Sequence, residues 1–188
     1  MIDPFPKWSL DCYVAAKQEV FDQIDQYLKT PPKSILDIGA GYGYIPELFQ
    51  KKYGTEIFFL EGDSESTNDR QRKGKYGEVN DFRFYLGVNE LKEYWNGRDI
   101  KYTFVDANNI SLDSNIKFDL VTSFLSCGYH YPANTYKDLI INHTDNSSVV
   151  IMDIRSKSLK YQSKDFDVIS VLSTASKHQR IHFSFRQG

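Results

Sequence analysis

Apolar positions along the chain change period several times, and each change marks an element. From position 8 to 28 they fall at Leu10, Tyr13, Val14, Val20, Phe21, Ile24, Tyr27 and Leu28, a 3.6-residue rhythm that predicts one face of a long amphipathic helix. Pro31 and Pro32 stop it. Ile35, Leu36 and Ile38 then form a short apolar run that predicts a strand, glycines follow at 39, 41 and 43, and Ile45, Leu48 and Phe49 resume helical spacing. Pro46 falls in the first turn of this second helix, where a missing amide costs little, and Gly54 marks its end. Further strands are predicted at 57–60, 101–105, 118–125 and 148–152, with short helices at 88–95 and 136–142. The last two apolar segments, 166–172 and 182–185, read as a strand pair. Strands alternating with helices predict an α/β fold around a mostly parallel sheet.

Residues 62–99 span nearly twice what one crossover helix needs, so this connection is enlarged. Within it, 82–86 alternates like a strand. Arg70, Arg72, Lys73 and Lys75 are interleaved with Asp69, Glu78 and Asp81 and read as a solvated face. With no linker or repeat, the 188 residues form a single domain: an N-terminal helical segment, 1–33, and a core, 34–188.

Composition narrows the classes. A chain that is 40% hydrophobic and 15% aromatic is ordinary globular protein. No window approaches the roughly 18 apolar residues of a membrane helix, and residues 1–6 lack the basic start and apolar centre of a signal peptide, so the expected location is cytoplasmic and no membrane partner is expected. A net charge of −2 removes the broad basic field that would hold a nucleic-acid backbone. Cys12 and Cys127 lie far apart, form no metal spacing or disulfide framework, and read as small buried hydrophobes.

The candidate chemistry centres on the glycines. Lacking Cβ, they accept positive φ and open the turn's amides to a bound group. A dinucleotide loop would place its third glycine at position 44, which is Tyr44, and the Gly-Lys-Ser/Thr ending of a P-loop is missing. The segment Asp37-Ile38-Gly39-Ala40-Gly41-Tyr42-Gly43 resembles the first motif of class I S-adenosylmethionine (SAM) dependent methyltransferases. The resemblance extends over about 34–185. It implies a three-layer Rossmann-like fold, with a seven-stranded, mostly parallel sheet and an antiparallel final strand. It also implies SAM as cofactor, with S-adenosylhomocysteine (SAH) as product. Asp37, Gly39, Ala40, Gly41 and Gly43 would cradle the donor. Glu61, followed by Gly62, ends the second strand about twenty residues beyond the glycine loop, where an acid accepts hydrogen bonds from both ribose hydroxyls. Asp106 and Ala107, just past the third strand, match the positions that read adenine, and Ser123 and Phe124 end the fourth strand beside the sulfonium. Ser123 stands where catechol-type enzymes place a magnesium-binding aspartate, so no metal is implied.

Residues 126–132 are expected as a loop at the acceptor, carrying His130 among Phe124, Tyr129 and Tyr131. This loop resembles that of sugar O-methyltransferase-type proteins, which implies methyl transfer to an oxygen of a small polar acceptor. His130 is the candidate general base, and Tyr42, Tyr44 and Phe124 offer aromatic faces to a cationic sulfur. His143, at the end of the following helix, reads as structural, and the basic end formed by His178, Arg180, His182 and Arg186 is expected at the surface. Two other readings stay open: an RNA methyltransferase gripping phosphates with Arg70, Arg72, Lys73 and Lys75, and a non-catalytic SAM-binding subunit.

Overall fold

The computed structural model describes residues 10–62, 88–98, 100–107 and 109–186. Its centre is β1 (Ser34–Ile38), buried along its whole length, as expected of a strand covered on both faces. On one side β1 pairs in parallel with β2 (Glu56–Glu61), which pairs with β3 (Tyr102–Asp106). On the other it pairs in parallel with β4 (Leu120–Ser123), which pairs with β6 (Val149–Arg155). β8 (His178–Phe185) runs antiparallel between β6 and the edge strand β7 (Phe166–Thr174), giving the seven-stranded order β3-β2-β1-β4-β6-β8-β7. The chain moves outward from β1 in one direction and then restarts at β4 in the other. A crevice therefore opens at the carboxyl ends of β1 and β4.

Alternation along the strands builds two apolar layers. Ile35, Ile57, Phe59, Leu120 and Ile151 face Phe21 and Ile24 of α1 (Leu10–Tyr27), Ile45 and Phe49 of α2 (Tyr44–Tyr53), and Trp95 of α3 (Val88–Asn96). Leu36, Ile38, Phe58, Leu60, Val121 and Met152 face the opposite layer, where Phe118, Phe166 and Ile140 of α4 (Lys137–Asn142) pack. Each such side chain contributes roughly 1.5–3 kcal/mol by leaving water. Among the described residues no helix is long and apolar enough to cross a membrane.

Three expectations change. The strand expected over 118–125 stops at Ser123, because the Ser123 hydroxyl donates to the Ile38 carbonyl and accepts the Cys127 amide, closing a tight bend in which Leu125 takes φ 53°. The expected loop 126–132 is instead mostly a strand, β5 (Ser126–Tyr131), which leads through a 3-10 turn (Ala133–Tyr136) into α4. β5 lies against the end of β6: a Cβ at Gly128, which has φ +89°, would sit 2.5 Å from Ile154 Cδ1 and 3.1 Å from the Asp153 carbonyl. The basic C-terminal end is also not a surface patch. β8 is an interior strand whose Arg180 and His182 point toward α1: Arg180 is 7% exposed and ion-paired with Asp153, and His182 Nδ1 lies 2.7 Å from the Tyr27 hydroxyl. Only Arg186 is exposed, and it pairs with Asp167.

His143 is buried with Nδ1 2.9 Å from the Ile116 carbonyl, a structural role, and Cys127 is a buried thiol whose burial raises its pKa. The expected strand at 82–86 and the basic residues Arg70, Arg72, Lys73 and Lys75 lie outside the described residues.

Candidate active site

The glycine loop leaves β1 after Ile38 and enters α2 at Tyr44, with φ +69° at Gly39, +57° at Gly41 and +62° at Gly43. Neighbours on three sides fix this path. The Gly39 amide donates to the Leu60 carbonyl (2.9 Å), and a Cβ on Gly39 would fall 1.8 Å from Ser126 Oγ. A Cβ on Gly43 would meet the Phe59 ring at 2.4 Å and Trp95 at 3.0 Å. Trp95 Nε1 donates to the Tyr42 carbonyl (3.2 Å), and the Tyr94 ring meets that of Tyr42 edge-on at 5.0 Å. At Gly41, by contrast, a Cβ would have no described atom within 4 Å. Glu47 is buried in the first turn of α2, where Arg98 and Lys51 compensate its charge.

Beside the loop lies a shallow, solvent-open cleft lined by Lys17, Asp37, Gly39, Ala40, Tyr44, Ile45 and Phe124. Asp37 is 4% exposed and accepts a 2.7 Å hydrogen bond from Thr122, its register partner on β4. Burial pushes its carboxyl up from 3.8 to about 6, against the pull of Thr122 and Lys17. Lys17 reaches the cleft from α1. A signal was present: Lys17 stands four residues before Phe21 and seven before Ile24, inside the buried stripe of that helix. Burial lowers the Lys17 pKa, while Asp37 and Asp153 pull it up.

The far wall is Phe124, whose ring lies under the Arg180 guanidinium (4.8 Å). Arg180 Nη2 donates to Asp153 Oδ2 (3.1 Å), and Nε sits 2.9 Å from Oδ1 but off the hydrogen-bonding direction. Its Nη1 donates to Gln23 Oε1 (3.1 Å), tying the wall to α1.

Glu61, 9% exposed, ends β2 in register with Asp106 at the end of β3, and its carbonyl accepts the Ala107 amide (2.9 Å). Asp106 itself is exposed. Gly62 follows at the strand end, its amide 3.3 Å from Glu61 Oε1. The strand ends thus bring Asp37, the glycine loop, Phe124, Glu61 and Asp106 to one edge of the sheet. Ser123 is different: its hydroxyl is engaged with backbone on both sides and holds the bend that presents Phe124. Besides Lys17, the sequence does not reveal where two residues of the expected acceptor loop come to lie. Ser126 and Tyr131 share a 3.2 Å hydrogen bond against Gly39, and burial holds the Tyr131 phenol neutral. His130 is half-buried, edge-on to Tyr129 at 4.9 Å, and is not among the residues lining the cleft. Burial and nearby Arg155 lower its pKa, favouring neutral imidazole.

No protein-family model matches the chain, and no curated protein matches it. Solved structures do. PH0226 protein from Pyrococcus horikoshii OT3 superposes with a TM-score of 0.68 at 13% identity, covering 98% of this chain and 97% of that one. The ribosomal protein L11 methylase from Lactobacillus delbrueckii subsp. bulgaricus gives 0.59 at 14% identity, covering 93% and 80%. The plantazolicin methyltransferase BpumL, in complex with a triazolic desmethylPZN analog and SAH, gives 0.50 at 16% identity, covering 87% of this chain and 52% of that one. At these identities the likeness establishes the fold, a Rossmann-like methyltransferase architecture.

Proposed function

We propose that the cleft binds SAM and that the protein transfers its methyl group to an oxygen of a small polar acceptor, a sugar-like hydroxyl being the class that suits the aromatic, histidine-bearing segment beside it. The observation that carries this reading is the set of acids at successive strand ends around the glycine loop: Asp37 on β1, Glu61 on β2 and Asp106 on β3. Their chemistry matches three donors of one molecule, an α-ammonium, a ribose diol and an adenine amino group. The neighbouring fold of an SAH-bound methyltransferase points the same way.

In this reading Gly39, Ala40, Gly41 and Gly43 let the ligand approach the backbone, and Gly62 and Ala107 shape the turns beside Glu61 and Asp106. When bound, the sulfonium supplies an electrophilic methyl group. Phe124, with Tyr44 across the cleft, gives cationic sulfur an aromatic environment, worth up to about 2 kcal/mol where water is excluded. His130, kept neutral, is assigned to take the proton from the acceptor hydroxyl.

Titration calorimetry with SAH tests the reading. Glu61→Ala removes the diol acceptor and should weaken binding by roughly tenfold or more. Unchanged affinity, or no binding by the parent protein, rejects it.

pH offers a second check. An ammonium pairs with ionised Asp37, so SAH affinity should fall by roughly tenfold for each unit below about pH 6, where the carboxyl takes up its proton. The unliganded protein responds in the opposite sense. The folded carboxyl titrates above its unfolded value of 3.8, so ionising it opposes folding, and this group adds stability as pH falls from about 6 toward 4. Affinity that is flat from pH 7.5 to 5 would remove Asp37 from the ammonium site.

A further inference from the structure

β6 ends and β8 begins at the carboxyl edge of the sheet, where Asp153 stands in register with Arg180 and, two residues further out, Arg155 with His178. Side chains two apart on a strand share a face, so the Arg155–His178 pair lies just outside the Asp153–Arg180 pair. Tyr129 of β5 packs against the outer pair: the Arg155 guanidinium sits 5.0 Å from its ring centroid, and the rings of His178 and His130 meet it edge-on at 5.9 and 4.9 Å. The inner pair balances its own charge. The outer one does not. Arg155 is exposed and, among the described residues, makes no ion pair, while His178 reaches inward to Asp153 with Nε2 at 3.7 Å. Beyond these strand ends the Ser156 amide donates to the Lys177 carbonyl (3.0 Å), so the two connections run together and bring exposed Lys157 and Lys177 to the same corner.

Basic residues set opposite one another at strand ends, with lysines beyond them and the nearest acid already compensated, favour an anion between them. A guanidinium held over an aromatic face keeps its planar fork for bidentate contact with an oxyanion. The corner also adjoins the donor cleft. Phe124, which lines that cleft, lies under Arg180, Arg180 pairs with Asp153, and Asp153 stands beside His178. The charge of Arg155 is felt at His130, the residue assigned to the acceptor hydroxyl. We propose that Arg155, positioned by Tyr129 and joined by His178, binds an acid group of the methyl acceptor, so that the acceptor is an anionic polar molecule, a sugar bearing a carboxylate or a phosphate. The inference rests on the proposed function above and narrows its substrate class from polar to anionic.

The test titrates the SAH-saturated protein with glucose, glucuronate and glucose 6-phosphate, following binding by NMR. At least one anionic sugar should bind roughly tenfold or more tighter than glucose, as a charge-assisted hydrogen bond requires, and whichever of the two is preferred identifies the acid group as carboxylate or phosphate. Arg155→Ala should abolish the preference, and Arg155→Lys should keep only part of it, since the charge stays and the fork is lost. Both variants should retain the parent affinity for SAH, which shows an intact fold and separates this site from that of the donor. Equal affinity for the three sugars, binding of none of them, or a preference that survives in Arg155→Ala overturns the proposal and leaves the cofactor reading standing. Loss of SAH affinity in Arg155→Ala overturns it as well, by placing Arg155 at the donor. Failure of the parent protein to bind SAH overturns both readings.

Discussion

Gly43→Ala should destabilise the protein by about 2–5 kcal/mol, while Gly41→Ala, two residues away in the same loop, should cost only about 1–2 kcal/mol yet weaken SAH binding more than tenfold. Both glycines hold left-handed φ, +62° and +57°, so both substitutions incur the backbone cost of an L-residue there. They differ in what the new methyl meets. At Gly43 it lands 2.4 Å from the Phe59 ring and 3.0 Å from Trp95, both fully buried and in contact with each other (ring centroids 5.0 Å apart). Neither ring has room to retreat, and overpacking of this kind adds about 1–3 kcal/mol. That is a large share of the roughly 5–15 kcal/mol that holds a domain together. At Gly41 the methyl meets no described atom within 4 Å, so its cost beyond the backbone falls on the ligand that the proposed function seats against this loop. Urea denaturation and SAH titration on the two variants separate the effects. Equal stability of the two would mean that the aromatic platform under the loop yields, and full SAH affinity in Gly41→Ala would mean that the ligand does not touch the loop at all.

How much of this is legible in the sequence follows from how local each feature is. The glycine loop, the helix that Pro46 and Gly54 bracket, and the acid ending β2 are written in consecutive residues, and the structure places them at the strand ends expected. The antiparallel final hairpin is legible as two apolar runs. What escapes depends on contacts between distant segments. The sequence around Ser123 reads as one continuous apolar strand, and only the approach of the Ile38 carbonyl from β1 turns its hydroxyl into the clamp of a bend. Trp95 reads as the core residue of a short helix. Its indole N–H also supports the glycine loop, a role that needs Tyr42, 53 positions earlier, to be overhead. Ser126 and Tyr131 belong to an acceptor loop by sequence, yet they curl back against Gly39 because Gly128 bends β5 over β6. Charge is the most misleading cue. His178, Arg180 and His182 form a basic cluster in sequence, and the strand order places β8 inside the sheet, where Asp153 compensates Arg180.

That buried pair gives the other large effect. Arg180→Met should destabilise the protein by about 3–5 kcal/mol, because it removes the guanidinium in contact with the fully enclosed Asp153 carboxylate and leaves it His178 at 3.7 Å and the more indirect influence of Lys17. The pair itself is not worth that much. Desolvating two charges cancels most of their attraction, so the double variant Asp153→Leu/Arg180→Met should recover most of the loss. A double-mutant cycle in urea would then give a coupling energy of about 2 kcal/mol or more, well above the few tenths expected of independent sites. A single-variant loss below about 1 kcal/mol would show that water or another group reaches Asp153. The consequence extends to the cleft, since the same guanidinium covers the Phe124 ring and donates to Gln23 on α1. In Arg180→Met the methionine can still cover Phe124 but cannot reach Gln23 with a donor. SAH affinity measured on folded variant below its melting point should therefore change less than stability does. A loss of affinity far greater than the loss of stability would instead make Arg180 part of the ligand site and not the support of its wall.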